Sequence, residues 1–304
     1  MKGIVMRSTG SFYEVLAEDS KTYTCRMRGK MRLEGIKETN PVAVGDRVVI
    51  AFDHEFATIK ELLPRENHIL RQSIKKTAHS HVLAANVDQV LLVVTLAFPR
   101  TSLGFIDRFL VSAESFRIPQ VIVFNKKDLL DGESLEKVLE LMTLYNSLGV
   151  TCFSVSALDQ DLLEIKRVLQ NKTTLIAGHS GVGKSTLLNK IAPGLNQAIG
   201  EVSQFSSKGK HTTTFAEMFS IGENTFVIDT PGVKELGLVD MSQQEISDYF
   251  PEMRALRNDC KFGSKCIHIN EPKCAIVEAV KAGEIAISRY DSYISMVMGE
   301  DNRK

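Results

Sequence analysis

Eight consecutive residues, Gly178-His179-Ser180-Gly181-Val182-Gly183-Lys184-Ser185, fit the pattern G-x-x-x-x-G-K-[ST]. The apolar run Thr174–Ala177 precedes them, and a helical pattern, Thr186-Leu187-Leu188-Asn189-Lys190-Ile191, follows. A strand, a glycine-rich turn and a helix start, in that order, describe a phosphate loop rather than a chance turn. The glycines let backbone N–H groups turn inward around phosphate oxygens, where the helix N-terminus adds its positive end. Lys184 is then placed to reach the β- and γ-phosphates and Ser185 to ligate Mg²⁺, with Thr186 closing the loop. The expected ligand is a nucleoside triphosphate.

A second element names the base. Asn125-Lys126-Lys127-Asp128 follows the apolar strand Gln120–Phe124 and matches N-K-x-D. A carboxylate at Asp128 can accept from both N1–H and the exocyclic N2–H of guanine, a donor pair adenine lacks. The aliphatic stem of Lys126 can cover the base plane. Ser156-Ala157, after the strand Val150–Val155, matches the short S-A element that backs the base in guanine-nucleotide proteins. Alone, an Asn/Asp turn after a strand is ordinary. Together with the phosphate loop it favours GTP and GDP over adenine nucleotides.

Asp229-Thr230-Pro231-Gly232 matches D-x-x-G, with Asp229 set to hold Mg²⁺ through water and the Gly232 N–H to sense the γ-phosphate. Between it and the phosphate loop lies Gly209-Lys210-His211-Thr212-Thr213-Thr214, whose threonines can supply a switch hydroxyl to Mg²⁺. Thr213 is the choice, with its neighbours as alternatives. The residue after D-x-x-G, often a water-orienting Gln, is Val233, which cannot orient water. His211 is the candidate for that catalytic task beside Lys184 and Gly232, a loop or partner-contacting role being the competing reading. In ordinary GTPases the phosphate loop comes first; here the guanine elements precede it. The set is circularly permuted, and D-x-x-G leads directly into the last part of the chain.

Cys260-x5-Cys266-x-His268-x5-Cys274 supplies three thiolates and one imidazole, the complement of a closed structural zinc site. Cys25 and Cys152 read as apolar residues of their strands. With five cysteines and no signal-like N-terminus, the chain suits a reducing cytoplasm rather than a disulfide framework.

These sites need elements to hold them. The 304 residues, 43% apolar and 24% charged, exceed one ordinary domain and exclude a disordered chain. No apolar run approaches the ~20 residues of a bilayer span, which argues against a membrane partner. Residues 1–65 carry short apolar runs separated by turn residues, including Val44-Gly45-Asp46-Arg47-Val48, and suit a five-stranded OB-type barrel. From about residue 85, strands at Gln89–Thr95, Gln120–Phe124, Val150–Val155 and Thr174–Ala177 alternate with helical patterns near 105–117, 133–148 and 159–170. That is a parallel α/β sheet. Strands Phe215–Ile221 and Thr225–Ile228 follow, and the chain beyond 236 reads as helical around the Cys/His cluster. The expectation is a multidomain α/β protein: a barrel (1–65), a permuted P-loop GTPase domain (66–235) and a helical zinc lobe (236–304).

The 37 basic and 37 acidic residues cancel, which argues against indiscriminate nucleic-acid binding. Charge is nonetheless local: six basic residues between Lys21 and Lys37 face a single acid, Glu34, and Arg65, Arg71, Lys75 and Lys76 follow near the barrel's exit. Screening over ~8 Å lets such a patch meet phosphates while distant acids matter little.

Taken together, the barrel with Val-Gly-Asp-Arg-Val, Asn-Lys-Lys-Asp at 125–128, the loop at 178–186, Lys-His-Thr-Thr-Thr at 210–214, Asp-Thr-Pro-Gly at 229–232 and the Cys/Cys/His/Cys lobe resemble the bacterial small-ribosomal-subunit-dependent, circularly permuted GTPases, the RsgA/YjeQ family. The resemblance covers essentially the whole chain. It implies a GTPase acting late in 30S subunit maturation, with weak basal hydrolysis stimulated by the subunit and 16S rRNA as a partner. Lys210 stands where the family commonly has Arg, Val233 where Phe is commoner, and the first zinc spacer is one residue longer. A timing factor docking at one site needs only a monomer. Competing readings are a GTP-gated RNA-binding scaffold and a permuted GTPase of the large subunit, whose relatives arrange their accessory modules differently.

Overall fold

A computed structural model describes residues 1–9, 12–27, 41–53, 56–71, 81–158, 162–193, 216–229 and 241–300. The loop holding Lys210, His211 and Thr213, and the segment with Gly232 and Val233, lie outside the described residues.

The N-terminal strands are β1 (Lys2–Ser8), β2 (Tyr13–Ala17), β3 (Thr22–Met27), β4 (Arg47–Asp53) and β5 (Phe56–Leu62). They close in the order β1-β2-β3-β5-β4-β1, antiparallel except for the parallel β3–β5 pair. This is an OB-type barrel. Alternation sends Val5, Tyr13, Val15, Cys25, Val48, Ile50 and Ile59 inward. Cys25 is therefore core, and burial pushes its thiol up to about 11. The Gly-Asp turn before β4 holds a buried ion pair: Asp46 accepts from Ala43 N at 2.7 Å and from Arg65 Nε and Nη2 at 2.7 and 2.8 Å.

A hairpin that the hydrophobic pattern did not reveal, β6 (His68–Arg71) and β7 (His81–Ala85), leaves the barrel. Its apolar stretches are too short to declare a period. The nucleotide sheet then runs β10 (Thr151–Ser154), β9 (Gln120–Phe124), β8 (Gln89–Val94), β11 (Thr173–Ala177), β13 (Thr225–Asp229) and β12 (Glu217–Gly222), all parallel except β12. Every residue of β8 is buried, as expected of a central strand covered on both faces. The covering helices are α1 (Leu103–Ser115), α2 (Gly132–Ser147), α3 (Leu163–Leu169) and α4 (Lys184–Ile191). α1 starts at Ser102, whose hydroxyl accepts from Phe105 N, and α2 at Asp131, whose carboxylate accepts from Ser134 N. The barrel extends this sheet, since β1 pairs antiparallel with edge strand β12, Arg7 opposite Glu217.

The C-terminal lobe comprises short helices α5 (Gln243–Ile246) and α6 (Pro251–Arg254), then α7 (Ala275–Ala282) and α8 (Ile287–Val297). Its core takes in Val111 of α1 together with Phe250, Met253, Ile276 and Tyr293. A buried ionic junction ties the two. Arg289 on α8 lies 2.7 Å from Asp107 of α1 and 2.7 Å from Glu252 of α6. Tyr145 of α2 donates to the same Asp107 oxygen at 2.8 Å. Burial opposes the guanidinium's charge, but the two carboxylates outweigh it and hold its pKa above the ordinary arginine value.

Candidate functional site

The parallel strands all end on one edge, and the sequence-predicted residues emerge from those ends, the usual ligand-binding edge of an open α/β sheet. β11 delivers the 178–185 loop, β9 the 125–128 turn, and β10 the Ser156-Ala157 step. Asp229 closes β13, in register with Ile176 of β11, just before the phosphate loop.

The loop's glycines are required by geometry. Gly178 has φ +141°, and a Cβ there would lie 2.2 Å from the Val93 carbonyl oxygen. Gly183 has φ +97°, and a Cβ there would lie 2.3 Å from the Asn125 amide nitrogen. Only glycine permits both the positive φ and the close approach. Asn125 uses that proximity. It is buried, its amide donates to Val182 O at 2.9 Å, and its amide oxygen accepts from Ala157 N at 3.1 Å. It thus braces the phosphate loop against the Ser156-Ala157 step, a positioning role the motif alone does not reveal.

Asn125, Lys126, Asp128, Ser156, Ala157, Ser180, Gly181, Gly183, Lys184, Ser185 and Thr186 line one cleft of about 560 Å³, a volume suited to a nucleotide-sized ligand. Lys127 is exposed at the start of a single 3-10 turn. Gly178, His179 and Val182 sit behind the cleft wall: Val182 is fully buried, and the His179 ring packs 3.9 Å from Phe105 of α1. Lys184 donates from Nζ to the carbonyls of Gly178 and His179 at 2.7 and 2.8 Å. Burial lowers its pKa, and the nearby Asp229 charge works in the opposite direction.

Sequence reasoning missed three apolar residues around this cleft. Leu129 and Leu158 line it and are 61% and 65% exposed. Phe98, 86% exposed, lends its carbonyl to Lys126 Nζ at 2.6 Å. Large apolar side chains left in solvent beside a polar cleft offer cover for a planar base. Their only sequence signal is an apolar residue just beyond a strand end.

The hydroxyls of Ser185 and Thr186 are exposed at the start of α4. The Ser185 hydroxyl and the Asp229 carboxylate, whose charge acts on Lys184, are hard oxygen donors of the kind Mg²⁺ takes, while Thr213 lies outside the described residues.

Cys260, Cys266, His268 and Cys274 bring four ligand atoms within 4.8 Å of one another, all on buried residues. Cys260 Sγ is 3.5 Å from His268 Nδ1 and 3.8 Å from Cys274 Sγ, and His268 Nδ1 is 3.4 Å from Cys274 Sγ. Edges of a tetrahedron with zinc–sulfur bonds of about 2.3 Å and zinc–nitrogen bonds of about 2.0 Å come to about 3.8 and 3.5 Å. Cys260, His268 and Cys274 match those edges and Cys266 Sγ lies within 4.8 Å of all three, so the donor set suits zinc. The loop is held from outside. Tyr290 donates to His268 O and Tyr293 to Ile267 O, each at 2.7 Å, while the Glu271 carboxylate accepts from the N–H groups of Ile267, Ile269 and Asn270.

Known proteins resemble this chain over its whole length. The RsgA N-terminal domain model matches residues 2–58, and the RsgA GTPase model residues 62–239. The small ribosomal subunit biogenesis GTPase RsgA of Cytophaga hutchinsonii is 49% identical over 308 residues, covering all of both chains. The Christiangramia forsetii protein of that name is 48% identical, covering 99% of this chain and 97% of that one. The crystal structure of YjeQ from Thermotoga maritima superposes with a TM-score of 0.79 at 37% identity, covering 100% of this chain and 99% of that one. YloQ, a circularly permuted GTPase, gives 0.75 at 33% identity, covering 100% and 96%. The permuted motif order, the barrel and the cleft thus coincide with a full-length match: the chain belongs to the RsgA family of circularly permuted GTPases.

Proposed function

We propose that this GTPase hydrolyses GTP to GDP and phosphate in the 125–186 cleft as a timing step in late maturation of the 30S subunit, stimulated by that subunit. The observation that carries the reading is the convergence of the guanine turn and the phosphate loop on one cleft, in a chain matched end to end by small-subunit biogenesis GTPases. Asp128 reads the guanine edge, the stem of Lys126 covers the ring, and Asn125 with Ser156-Ala157 fixes the turn. Lys184 exchanges its two loop carbonyls for phosphate oxygens, so its ammonium is presented without a large rearrangement. Ser185, Asp229 and a switch threonine, Thr213 first, would hold Mg²⁺, which neutralises charge between the phosphates when bound. The Gly232 N–H reports the γ-phosphate, and His211 orients the attacking water in place of the missing Gln.

Three modules, 1–65, 66–235 and 236–304, divide the work. The first and last contact 16S rRNA, and the last is stapled by one zinc. The factor acts as a cytoplasmic monomer. Among the described residues no helix is long and apolar enough to cross a membrane.

Turnover with and without 30S subunits tests the reading, together with sedimentation against 30S and 50S subunits under GTP, GDP and a non-hydrolysable analogue. Stimulation by 30S and nucleotide-dependent binding are expected. Unstimulated turnover, nucleotide-blind binding or preference for 50S overturns it. His211→Ala with wild-type turnover removes the histidine from the mechanism.

A further inference from the structure

Outside the cleft and the lobe, the barrel exposes an aromatic cluster that its own core does not need. Phe12, Phe52 and Phe56 are 40%, 58% and 53% exposed. The Arg26 guanidinium lies 4.7 Å from the Phe12 ring centroid and 4.8 Å from that of Phe56. Beside them the rings of Tyr23 and Phe52 meet edge to face at 4.9 Å. The register explains the grouping. Tyr13 pairs with Cys25, and Cys25 pairs with Ala57, all three pointing into the barrel. Their neighbours Phe12, Arg26 and Phe56 therefore share the outer face of three adjacent strands. Phe12 ends the connection between β1 and β2, Arg26 is on β3, and Phe56 begins β5 immediately after the connection from β4. Those two connections and the β2–β3 face are where OB barrels take oligonucleotides and oligosaccharides.

We propose that Phe12, Arg26 and Phe56 form a stacking platform for unpaired RNA bases, so that this barrel engages single-stranded rather than duplex RNA. The proposal rests on the function argued above and adds the class of RNA. Exposing large rings to water is unfavourable unless something covers them. A guanidinium held against two rings fixes their orientation before a ligand arrives, so less ordering remains to be done on binding. Bases have π-faces that stack on phenyl rings without regard to sequence, and a cation between them favours the adjoining phosphates. The charge agrees: the exposed Lys60 shares the outer face of β5 with Phe56, beside Arg26 on β3, and the sequence from Lys21 to Lys37 is strongly basic. Glu14, the carboxylate of the neighbouring position on β2, is 3.9 Å from Arg7 and is partly compensated. A protein partner of ordinary chemistry would be met by aliphatic side chains as well as rings. A duplex would be met by cations without rings, since its bases are stacked already.

The test uses the full-length protein with a labelled single-stranded oligouridylate and a blunt-ended RNA duplex of equal phosphate number, read by fluorescence anisotropy. Phe12→Ala and Phe56→Ala should each weaken single-strand binding roughly 5- to 100-fold, leave duplex binding unchanged, and leave basal GTP turnover unchanged. Phe56→Trp should restore it. Arg26→Ala should weaken it and lower the salt slope by about one. The thermal midpoints of these surface variants report that they fold. The platform is overturned if the wild type ignores single strands, if both Phe variants bind them normally, or if duplex and single-strand affinities fall together. Normal RNA binding with weakened sedimentation on 30S subunits would assign the face to a protein instead, and also overturns it. Turnover of the wild type with and without subunits is read in parallel, so a failure of the proposed ribosomal role is seen separately.

Discussion

The nucleotide cleft and the zinc lobe both present loops rich in ligand atoms, yet they treat those atoms oppositely. In the cleft, Asp128, Ser180, Ser185 and Thr186 are exposed, and Lys184 satisfies its ammonium with borrowed carbonyls. In the lobe all four donors are buried within 4.8 Å of one another, and Cys260, His268 and Cys274 already stand at the edge lengths of a tetrahedron. A site that must release its ligand keeps its polar groups hydrated or provisionally paired. A site that buries its donors would leave four polar groups mutually crowded in a small core, a cost that an ion removes by bonding to all of them. The first is built for exchange and the second for permanence.

The largest effect should therefore come from the lobe. Cys274→Ala should strip the zinc and unfold residues 241–300, a loss on the order of 10 kcal/mol of coupled binding and folding. Metal content by mass spectrometry and the lobe's melting transition check it, while guanine-nucleotide affinity should stay within a few-fold. A metal-free variant with an unchanged melt would erase the contrast between the two regions. Next in size is the junction between them. Arg289→Ala leaves Asp107 and Glu252 facing a void with no counter-charge, costing about 3–5 kcal/mol by denaturant unfolding. If that variant also changes nucleotide affinity, the two regions are coupled through α1, which touches His179 with Phe105 and Arg289 with Asp107.

How visible these features are in the sequence follows the distance over which they are built. The phosphate loop, the guanine turn and the zinc quartet each lie within a short stretch, so spacing alone announces them. The parallel strands were legible because buried runs such as Gln89–Val94 are bounded by turn residues. The brace made by Asn125 was not, because its partners Val182 and Ala157 are 57 and 32 residues away. Arg289 and Asp107 are separated by 182 residues, and nothing local marks an arginine on a helix as buried. The pairing of β1 with β12 was equally hidden, since it joins the edges of two modules that each look complete. Asp46 read as a turn residue because its ion-pair partner, Arg65, is 19 residues on.

Within the cleft, the exchange reading predicts a specificity change rather than a loss of fold. Asp128→Asn replaces one acceptor by a donor opposite the guanine N2 amino group, so GTP affinity should fall about 100-fold. Xanthosine triphosphate, which presents an oxygen where guanine has its amino group, should bind the variant better than GTP does. Equilibrium titration with both nucleotides checks it, and unchanged GTP affinity would remove Asp128 from base reading. The thermal midpoint should not move, because Asp128 is exposed.

The smallest expected effect tests how permanence in the lobe is maintained. Tyr290 and Tyr293 stack on each other from α8 and pin two carbonyls of the ligand loop, those of His268 and Ile267. His268 itself has φ +55°, in the left-handed region that few non-glycine residues occupy. Tyr290→Phe keeps the ring and removes the bond that fixes the His268 carbonyl, a change of about 1 kcal/mol. Zinc release to a chelator should accelerate about five-fold, while metal content before chelation and GTP turnover stay as in the wild type. An unchanged release rate would mean that the four donors hold the ion without help from α8. The lobe's permanence would then belong to the quartet alone rather than to the helix packed behind it.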